Sequence, residues 1–392
     1  MTTACALSAL VAEGLAKRNA LCDAFFTREA DRLAEACRGM SDRFLQGGRL
    51  LAFGRGSYAT DAQHVSVEFV HPVIVGKRAL PALDLSIDFA RWVDAIALPQ
   101  DIAMGFGPPD GDSVVEQALD GAAARGAMTF ALPGARGSYA IGPAADDPFV
   151  HQEILEILYH TLWETVHVFL ERRALGHDVG DAGFLYPFLG RDEQPHADAM
   201  TEVASSIRMK VAEDVTLREQ VARGQSDAIG EAALAIHARL LRGGKLILFG
   251  NGGSATDAND WMLDCVSPPQ GYKRVPAVSL SLEPAGITAI ANDVGTDVIF
   301  LRQLIAHARP DDVAIAFSTS GGSRNIVMAL EEARRRGLLT VALLGYDGGE
   351  IGRRGLADVP LIVRSDYIPR IQEIHASIYH VIRDLLEVLA RA

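Results

Sequence analysis

The sequence predicts two consecutive α/β domains, each built on a doubly wound parallel sheet. Two observations support this prediction. The chain repeats itself, since Gly47–Gly54 reads GGRLLAFG and Gly243–Gly250 reads GGKLILFG. Within each copy, short apolar runs alternate with longer amphipathic stretches, as in buried parallel strands covered by helices. The period far exceeds that of solenoid repeats and therefore indicates a duplicated domain.

The second copy shows its predicted elements most clearly. Its predicted strands are Lys245–Phe249, Ala277–Leu282, Val313–Phe317, Thr340–Leu344 and Val359–Val363. Its predicted helices are Asp257–Cys265, Ile299–Ala308, Ser323–Arg336 and a final one from about Ile371 to Leu389. Segment 176–199 is rich in Gly, Pro and Asp and is typical of a linker. We therefore expect domains at 1–178 and 200–392, joined by a linker at 179–199.

Composition excludes several classes of function. With 49% hydrophobic residues, the chain has ample material for buried cores. A formal charge of −13 argues against nucleic acid or an anionic membrane as the main partner. The four cysteines show no CxxC spacing, and no apolar run is long enough to span a membrane. These features predict a reduced, cytoplasmic protein.

A candidate phosphate loop follows the third predicted strand of the second copy. Residues 316–325 read AFSTSGGSRN, and four hydroxyls (Ser318, Thr319, Ser320 and Ser323) lie where a helix begins. Hydroxyls and glycine N–H groups at a helix N-terminus suit an anion, although a simple N-cap also favours Ser and Thr. The first copy reads Gly-Pro-Pro-Asp-Gly-Asp at 107–112, where two prolines and two carboxylates disfavour phosphate.

Several other motif residues could carry chemistry. The turn 250–254 (GNGGS) lets a ligand approach the backbone, but alone it resembles any tight βα turn. His64 and Glu68 are four residues apart on one helix face, where a simple ion pair is a common alternative to a metal site. The spacing of Gln152 and His160 on the closing helix does not by itself indicate chelation.

The second copy resembles the sugar isomerase (SIS) domain, in its phosphoheptose isomerase branch, from Ala199 to the C-terminus. The resemblance rests on GNGGSATDA, AIANDVGTD, FSTSGGS and RIQEIHASIYH. It implies a flavodoxin-like three-layer fold and isomerisation of sedoheptulose 7-phosphate to D-glycero-D-manno-heptose 7-phosphate through an enediol. It also implies Zn²⁺, a Glu base, a His acid and a tetramer of SIS domains, which a homodimer of this duplicated chain would provide.

Roles are carried over residue by residue. The resemblance implies sugar-phosphate contacts for Asn251, Gly252, Gly253, Ser254, Asn292, Asp293, Ser318, Thr319, Ser320, Ser323 and Gln372. It implies Glu68 as the base, His160 as the acid and His64, Glu68, Gln152 and His160 as metal ligands. In the second copy the equivalents of the base and acid are Asp264 and His380, and the His ligand is replaced by Asp260.

Each copy has lost what the other keeps. The first copy keeps the His/Glu/Gln/His quartet but lacks the phosphate loop and about 15 residues around the counterparts of Asn292 and Asp293. We therefore predict a composite site to which both copies contribute. The alternative is a non-catalytic SIS protein that binds a phosphosugar or a partner protein, since this fold need not catalyse.

Overall fold

The structure is a computed structural model that describes residues 4–72, 77–175 and 196–391. Within these ranges it contains two five-stranded parallel sheets flanked by helices. The predicted fold class, two α/β doubly wound parallel-sheet domains, is confirmed.

The first sheet and its helices come from the first copy. In chain order the elements are α1 (Ala4–Leu45), β1 (Leu50–Phe53), α2 (Tyr58–Val70), β2 (Ala82–Asp84), α3 (Phe89–Ile96), β3 (Ile102–Phe106), α4 (Ser113–Ala124), β4 (Met128–Leu132), β5 (Tyr139–Ala140) and α5 (Pro148–Leu175).

The second sheet repeats this plan with one insertion. Its elements are α6 (His196–Leu240), β6 (Leu246–Phe249), α7 (Gly253–Val266), β7 (Ala277–Ser279), α8 (Pro284–Asp293), a 3₁₀ turn (Thr296–Val298), α9 (Ile299–His307), β8 (Val313–Ser318), α10 (Arg324–Arg335), β9 (Leu339–Gly345), α11 (Gly349–Arg354), β10 (Val359–Val363) and α12 (Ile368–Arg391). Helix α8 and the 3₁₀ turn account for the extra residues near Asn292.

Both sheets have the same strand order, which determines where a ligand can bind. The orders are β2-β1-β3-β4-β5 and β7-β6-β8-β9-β10, with every pair parallel. This is the flavodoxin-like order, whose ligand crevice lies beyond the carboxyl ends of the strands where the connections change direction. In the second sheet that point is between β6 and β8, so the turns at 250–253 and 318–323 lie there.

Alternate residues of each strand pack on opposite faces of the sheet. Leu246 and Leu248 belong to a core that includes residues of α12, whereas Ile247 and Phe249 pack in a second core with residues of α10. Two apolar layers, one on each face, explain why these strands are continuous apolar runs rather than alternating ones.

The compact units do not coincide with the domain boundaries expected from the repeat. Residues 20–213 form one unit, and residues 1–19 together with 214–392 form the other. Most of the expected linker, 179–195, lies outside the described residues, and its last residues already belong to α6. The long helices α1 and α6 therefore each contribute residues to both units, which the amphipathic pattern alone did not reveal.

Buried contacts fix both contributed segments. Leu7, Val11 and Leu15 are fully buried in the core of the second unit. The core of the first unit likewise contains residues of α6, namely Val203, Ala204, Ile207 and Val211. Each segment also brings a cation to an acid on the closing helix of a copy: Arg18 lies 3.7 Å from Asp384 on α12, and Lys210 pairs with Glu164 on α5.

We expect Val11→Asp to destabilise the second unit by roughly 3 kcal/mol or more, because it leaves an uncompensated charge in the core. Hydrogen exchange should then accelerate within 214–392 before it accelerates within 20–213. Leu10→Asp is the matched control, since Leu10 lies on the same helix but is 39% exposed. Uniform acceleration across both units would contradict the assignment of residues 1–19 to the second unit.

Over the described ranges, no helix combines the length and apolarity that a membrane span requires.

Candidate active site

The predicted phosphate loop, residues 318–323, connects the end of β8 to the start of α10. Ser323 is the N-cap residue of α10, and its carbonyl accepts from the N–H groups of Ile326 and Val327. Its hydroxyl makes no capping hydrogen bond. Thr319 is half-buried and Ser320 is exposed, so ligand can reach both. The turn thus presents accessible hydroxyls at the positive end of a three-turn helix, an arrangement that suits an oxyanion.

Ser318 supports the same interpretation from inside the loop. Its side chain is only 4% exposed, and its Oγ has no hydrogen-bond partner in the described part of the chain. A buried hydroxyl without a partner is costly unless a ligand or water satisfies it. A ligand bound to the loop could supply the hydrogen-bond partner that the Ser318 hydroxyl lacks.

In the first half, a carboxylate occupies the corresponding helix N-terminus. Asp112 is the counterpart of Ser323, and its Oδ1 accepts from the N–H groups of Val114 at 2.8 Å and Val115 at 3.3 Å. Its Oδ2 lies 3.2 Å from Nη1 of Arg55, the counterpart of Asn251. The N–H groups at this helix N-terminus are thus engaged by the chain's own carboxylate, which disfavours an external anion there.

A buried histidine, His151, makes hydrogen bonds that hold the start of the first-half turn 107–112. His151 accepts from the N–H of Ala144 through Nδ1 at 3.0 Å, which leaves Nε2–H to donate to the carbonyl of Gly107 at 3.2 Å. Burial lowers the pKa of His151 to about 4, so the ring is neutral at physiological pH.

The lowered pKa of His151 predicts a loss of stability in acid. Between pH 6.5 and about 4, the unfolded chain binds a proton at this residue and the folded chain does not. The free energy of unfolding therefore falls as the pH falls, by up to about 1.4 kcal/mol per pH unit from this group. We expect urea unfolding at pH 6 and pH 5 to show a smaller pH dependence for His151→Gln than for the parent chain; equal slopes would contradict the assignment.

In the first half, α2 and α5 bring three of the four predicted metal ligands together. Nε2 of His64 lies 3.3 Å from Nε2 of His160 and 3.8 Å from Oε1 of Glu68. All three side chains are buried, and their ligand atoms lie within 4.8 Å of one another. Burial, with the neighbouring His160 as the second cause, lowers the pKa of His64 well below its usual value, so this imidazole is neutral and able to bind a cation.

Tyr159 holds the ring of His64 in place. Its hydroxyl lies 3.0 Å from Nδ1 of His64. When Nδ1–H donates to the Tyr159 oxygen, Nε2 keeps its lone pair for a cation, and metal-binding histidines usually donate their other ring N–H in this way. Two imidazoles and a carboxylate form a donor set that suits zinc.

Gln152, the fourth predicted ligand, is held by other groups. Its side-chain amide donates to Asp61 Oδ2 at 2.8 Å and to the carbonyl of Ser57 at 3.3 Å. Gln152 is buried at the start of the same helix as His160. Its role as a ligand therefore stays a prediction.

The second half builds the equivalent cluster from shorter acids. Nε2 of His380 lies 3.2 Å from Asp264 Oδ2 and 3.5 Å from Asp260 Oδ2, and Tyr379 donates to Asp260 at 2.7 Å. Burial, and next the charge of Asp260, raises the pKa of Asp264 to about 7, against the opposing effect of His380. This cluster could hold a proton or a cation, with more oxygen donors than its first-half counterpart.

The other predicted sugar-phosphate residues lie at three places in the second half. Asn251 exchanges two side-chain hydrogen bonds, of 3.0 and 2.9 Å, with Asn325 on the first turn of α10, which links both βα turns of the second sheet. Gly252 caps α7 with φ = 57°, and Gly253 and Ser254 begin that helix in buried positions.

Asn292 and Asp293 are exposed at the end of α8, and the side-chain amide of Asn292 donates to Asp293 at 2.8 Å. Gln372 is buried near the start of α12.

Sequence reasoning missed Tyr159, Tyr379, Asn325 and the Arg55–Asp112 pair. A usable signal existed for the tyrosines, because Tyr-His ends the repeated motif in both copies. No signal in the motif pattern distinguished Asn325 from ordinary residues at the start of a helix, and none showed that Asp112 would bind N–H groups of its own helix and pair with Arg55.

Comparison with known proteins gives consistent results. The sequence profile of the SIS domain matches residues 211–345. A phosphoheptose isomerase from Geobacter sp. (strain M21) is 47% identical over 41% of this chain and 84% of its own length. A phosphoheptose isomerase from Chlorobium phaeobacteroides is 42% identical over 44% of this chain and 76% of its own length. The structure of the C-terminal domain of glucosamine-fructose-6-phosphate aminotransferase from Francisella tularensis matches 96% of this chain and 94% of its own at 6% identity, with a TM-score of 0.64; this likeness concerns the fold alone.

Proposed function

The chain belongs to the phosphoheptose isomerase branch of the SIS-domain family, and from this premise we propose that it isomerises a ketose phosphate to an aldose phosphate. The coarse activity, a sugar phosphate isomerase, follows from relatives above 40% identity. The proposed substrate is sedoheptulose 7-phosphate and the proposed product is D-glycero-D-manno-heptose 7-phosphate.

The observation that carries the proposed chemistry is the buried trio of His64, Glu68 and His160. Isomerisation through an enediol requires a base that removes the proton from the carbon next to the carbonyl and an acid that moves a proton between the two oxygens. Glu68 is the proposed base, and it returns the abstracted proton to the neighbouring carbon. His160 is the proposed acid, and its Nε2 lies in the same cluster.

The same trio fits a divalent metal, and zinc is the proposed ion. His64, Glu68 and His160 would hold it, with Gln152 as the proposed fourth ligand. A bound cation would polarise the sugar carbonyl and stabilise negative charge on the oxygen. The chain's own residues supply the proton transfers: Glu68 acts at carbon through a carboxylate oxygen that does not bind the ion, and His160 acts at oxygen while its Nε2 carries a proton instead of the ion.

Phosphate binding is proposed for the second half alone. Its loop offers accessible hydroxyls and Ser318, whose Oγ has no partner among the described residues, whereas Asp112 occupies the equivalent helix N-terminus in the first half. We propose that turnover needs both the first-half trio and the second-half loop.

The test is isomerisation of C5 to C7 ketose phosphates in D₂O, followed by proton NMR. An enediol mechanism predicts that part of the protons held by Glu68 exchange with water before they are returned to carbon, so some deuterium should enter the aldose next to its carbonyl. Glu68→Gln should lower the rate by at least about 100-fold while sugar phosphate still binds.

A second candidate function is a phosphosugar-binding regulator without turnover. The observation that favours it is the replacement of the family's His and Glu ligands by Asp260 and Asp264 beside the intact loop. Binding of the sugar phosphates without isomerisation of any of them would select this function over the enzyme.

A further inference from the structure

The phosphate loop of the second half is held from behind by the turn Gly345–Gly349, here called the supporting turn. The N–H of Gly345 donates to the carbonyl of Thr319 at 2.9 Å. Just beyond the turn, the N–H of Ile351 donates to the carbonyl of Gly321, also at 2.9 Å. Two carbonyls of the phosphate loop are thus fixed by the chain that follows β9.

The approach between the loop and the turn is too close for side chains. A Cβ on Gly321 would lie 2.2 Å from the carbonyl oxygen of Gly348, and a Cβ on Gly349 would lie 2.2 Å from that of Ser320. The φ angles of these two glycines are 60° and 56°, which also favours glycine. Backbone therefore packs directly on backbone, so a shift of the supporting turn must move the phosphate loop.

The supporting turn also contains a strained residue. Tyr346 has φ = 51°, the one non-glycine with a positive φ among the residues that the structure describes. Such a conformation costs of the order of 1–3 kcal/mol and persists only where the surroundings impose it. Contacts around the end of β9 must therefore hold the turn in this form.

His375 of α12 supplies one of these contacts. Its Nε2 lies 3.0 Å from the carbonyl oxygen of Leu344, the residue before the supporting turn. The side chain is fully buried, and burial lowers its pKa to about 4. Since a carbonyl only accepts, the neutral ring donates from Nε2, and within the described ranges its Nδ1 has no hydrogen-bond partner.

The internal repeat shows that packing alone does not require a histidine here. The first-half counterpart of His375 is Leu155, which is also fully buried at the same place on the closing helix. That half has the Gly-Pro-Pro-Asp sequence instead of a phosphate loop. A buried imidazole with an unpartnered nitrogen costs free energy that leucine does not. The histidine thus occurs in the half that carries the phosphate loop.

We propose that His375 is a positioning residue, which holds the end of β9 and the supporting turn so that the phosphate loop keeps its anion-binding form. This proposal rests on the proposed function, because the loop's ligand is taken to be the phosphate of the substrate. His375 acts through the turn, without contact to the ligand.

The test compares His375→Leu, His375→Asn and the parent chain for binding of inorganic phosphate and sedoheptulose 7-phosphate by calorimetry. His375→Leu should weaken both at least about fivefold, raise KM more than it lowers kcat and leave the melting temperature unchanged or higher. His375→Asn keeps an N–H donor and should recover part of the affinity. His151→Leu, which removes the buried histidine behind the first-half loop, is the matched control and should leave phosphate affinity unchanged.

Hydrogen exchange of the peptide that contains residues 318–323 gives a readout that needs no ligand. His375→Leu should accelerate exchange in this peptide, and His375→Asn should do so less. Unchanged exchange and unchanged affinity in His375→Leu would overturn the proposal, as would an equal loss in both variants. If the parent chain binds neither phosphate nor sugar phosphate while the loop still loosens in His375→Leu, the proposed function fails and the positioning role stands.

Discussion

Thr319→Val combined with Ser320→Ala is expected to raise the dissociation constant for a sugar phosphate at least about tenfold. Both substitutions remove hydroxyls that ligand can reach at the N-terminus of α10, where each hydrogen bond to a charged phosphate contributes about 1.5–3 kcal/mol. The hydroxyl of Ser320 also accepts from the N–H of Gly322 at 3.2 Å, so its loss frees the loop as well. Calorimetric titration measures the change.

Asp110→Ala in the first half is the control for this loop variant. Asp110 lies in the Gly-Pro-Pro-Asp-Gly-Asp turn that the repeat aligns with the phosphate loop. Its removal should leave the affinity unchanged. The assignment of phosphate to the second half is wrong if Asp110→Ala weakens binding and the double variant does not.

His64→Ala is expected to remove most of the bound zinc, whereas Asp260→Ala should leave most of it. The first substitution deletes one of two imidazole donors from a buried cluster whose ligand atoms lie within 4.8 Å of one another. The second acts on the equivalent cluster with two carboxylates and a single imidazole, a set with less affinity for zinc than the first.

Metal content after exhaustive dialysis, measured by mass spectrometry, decides between the two clusters. Circular dichroism of both variants checks that each remains folded. Retention of zinc in His64→Ala together with its loss from Asp260→Ala would transfer the metal site, and with it the proposed base, to Asp264 in the second half.

Much of this fold could be predicted from the sequence because it depends on local pattern. Short continuous apolar runs such as Val313–Phe317 indicate buried parallel strands. The internal repeat supports this assignment, because both copies show the same pattern. The position of the loop at 318–323 was predictable for the same reason, because it connects a strand to a helix. Its binding of an anion stays a prediction. The trio of His64, Glu68 and His160 needed the family resemblance, because side chains about 100 residues apart meet only through the packing of α2 on α5.

Other features depend on choices that periodicity does not encode. The pattern of an amphipathic helix shows which face is buried but not the core in which that face packs. The sequence therefore did not predict that residues 4–19 belong to the second unit. The carboxylate of Asp112 was expected to repel phosphate, but its hydrogen bonds to Val114 and Val115 emerged only from backbone geometry.

The sharing of α1 between the units has a consequence for synthesis on the ribosome. Residues 4–19 leave the ribosome before residues 214–391, yet they pack in the unit that those later residues form. The apolar side chains of Leu7, Val11 and Leu15 therefore lack their core partners until residues 214–391 have been made. Exposed apolar segments of incomplete chains promote aggregation. We therefore expect nascent chains stalled before α12 to bind chaperones through residues 4–19.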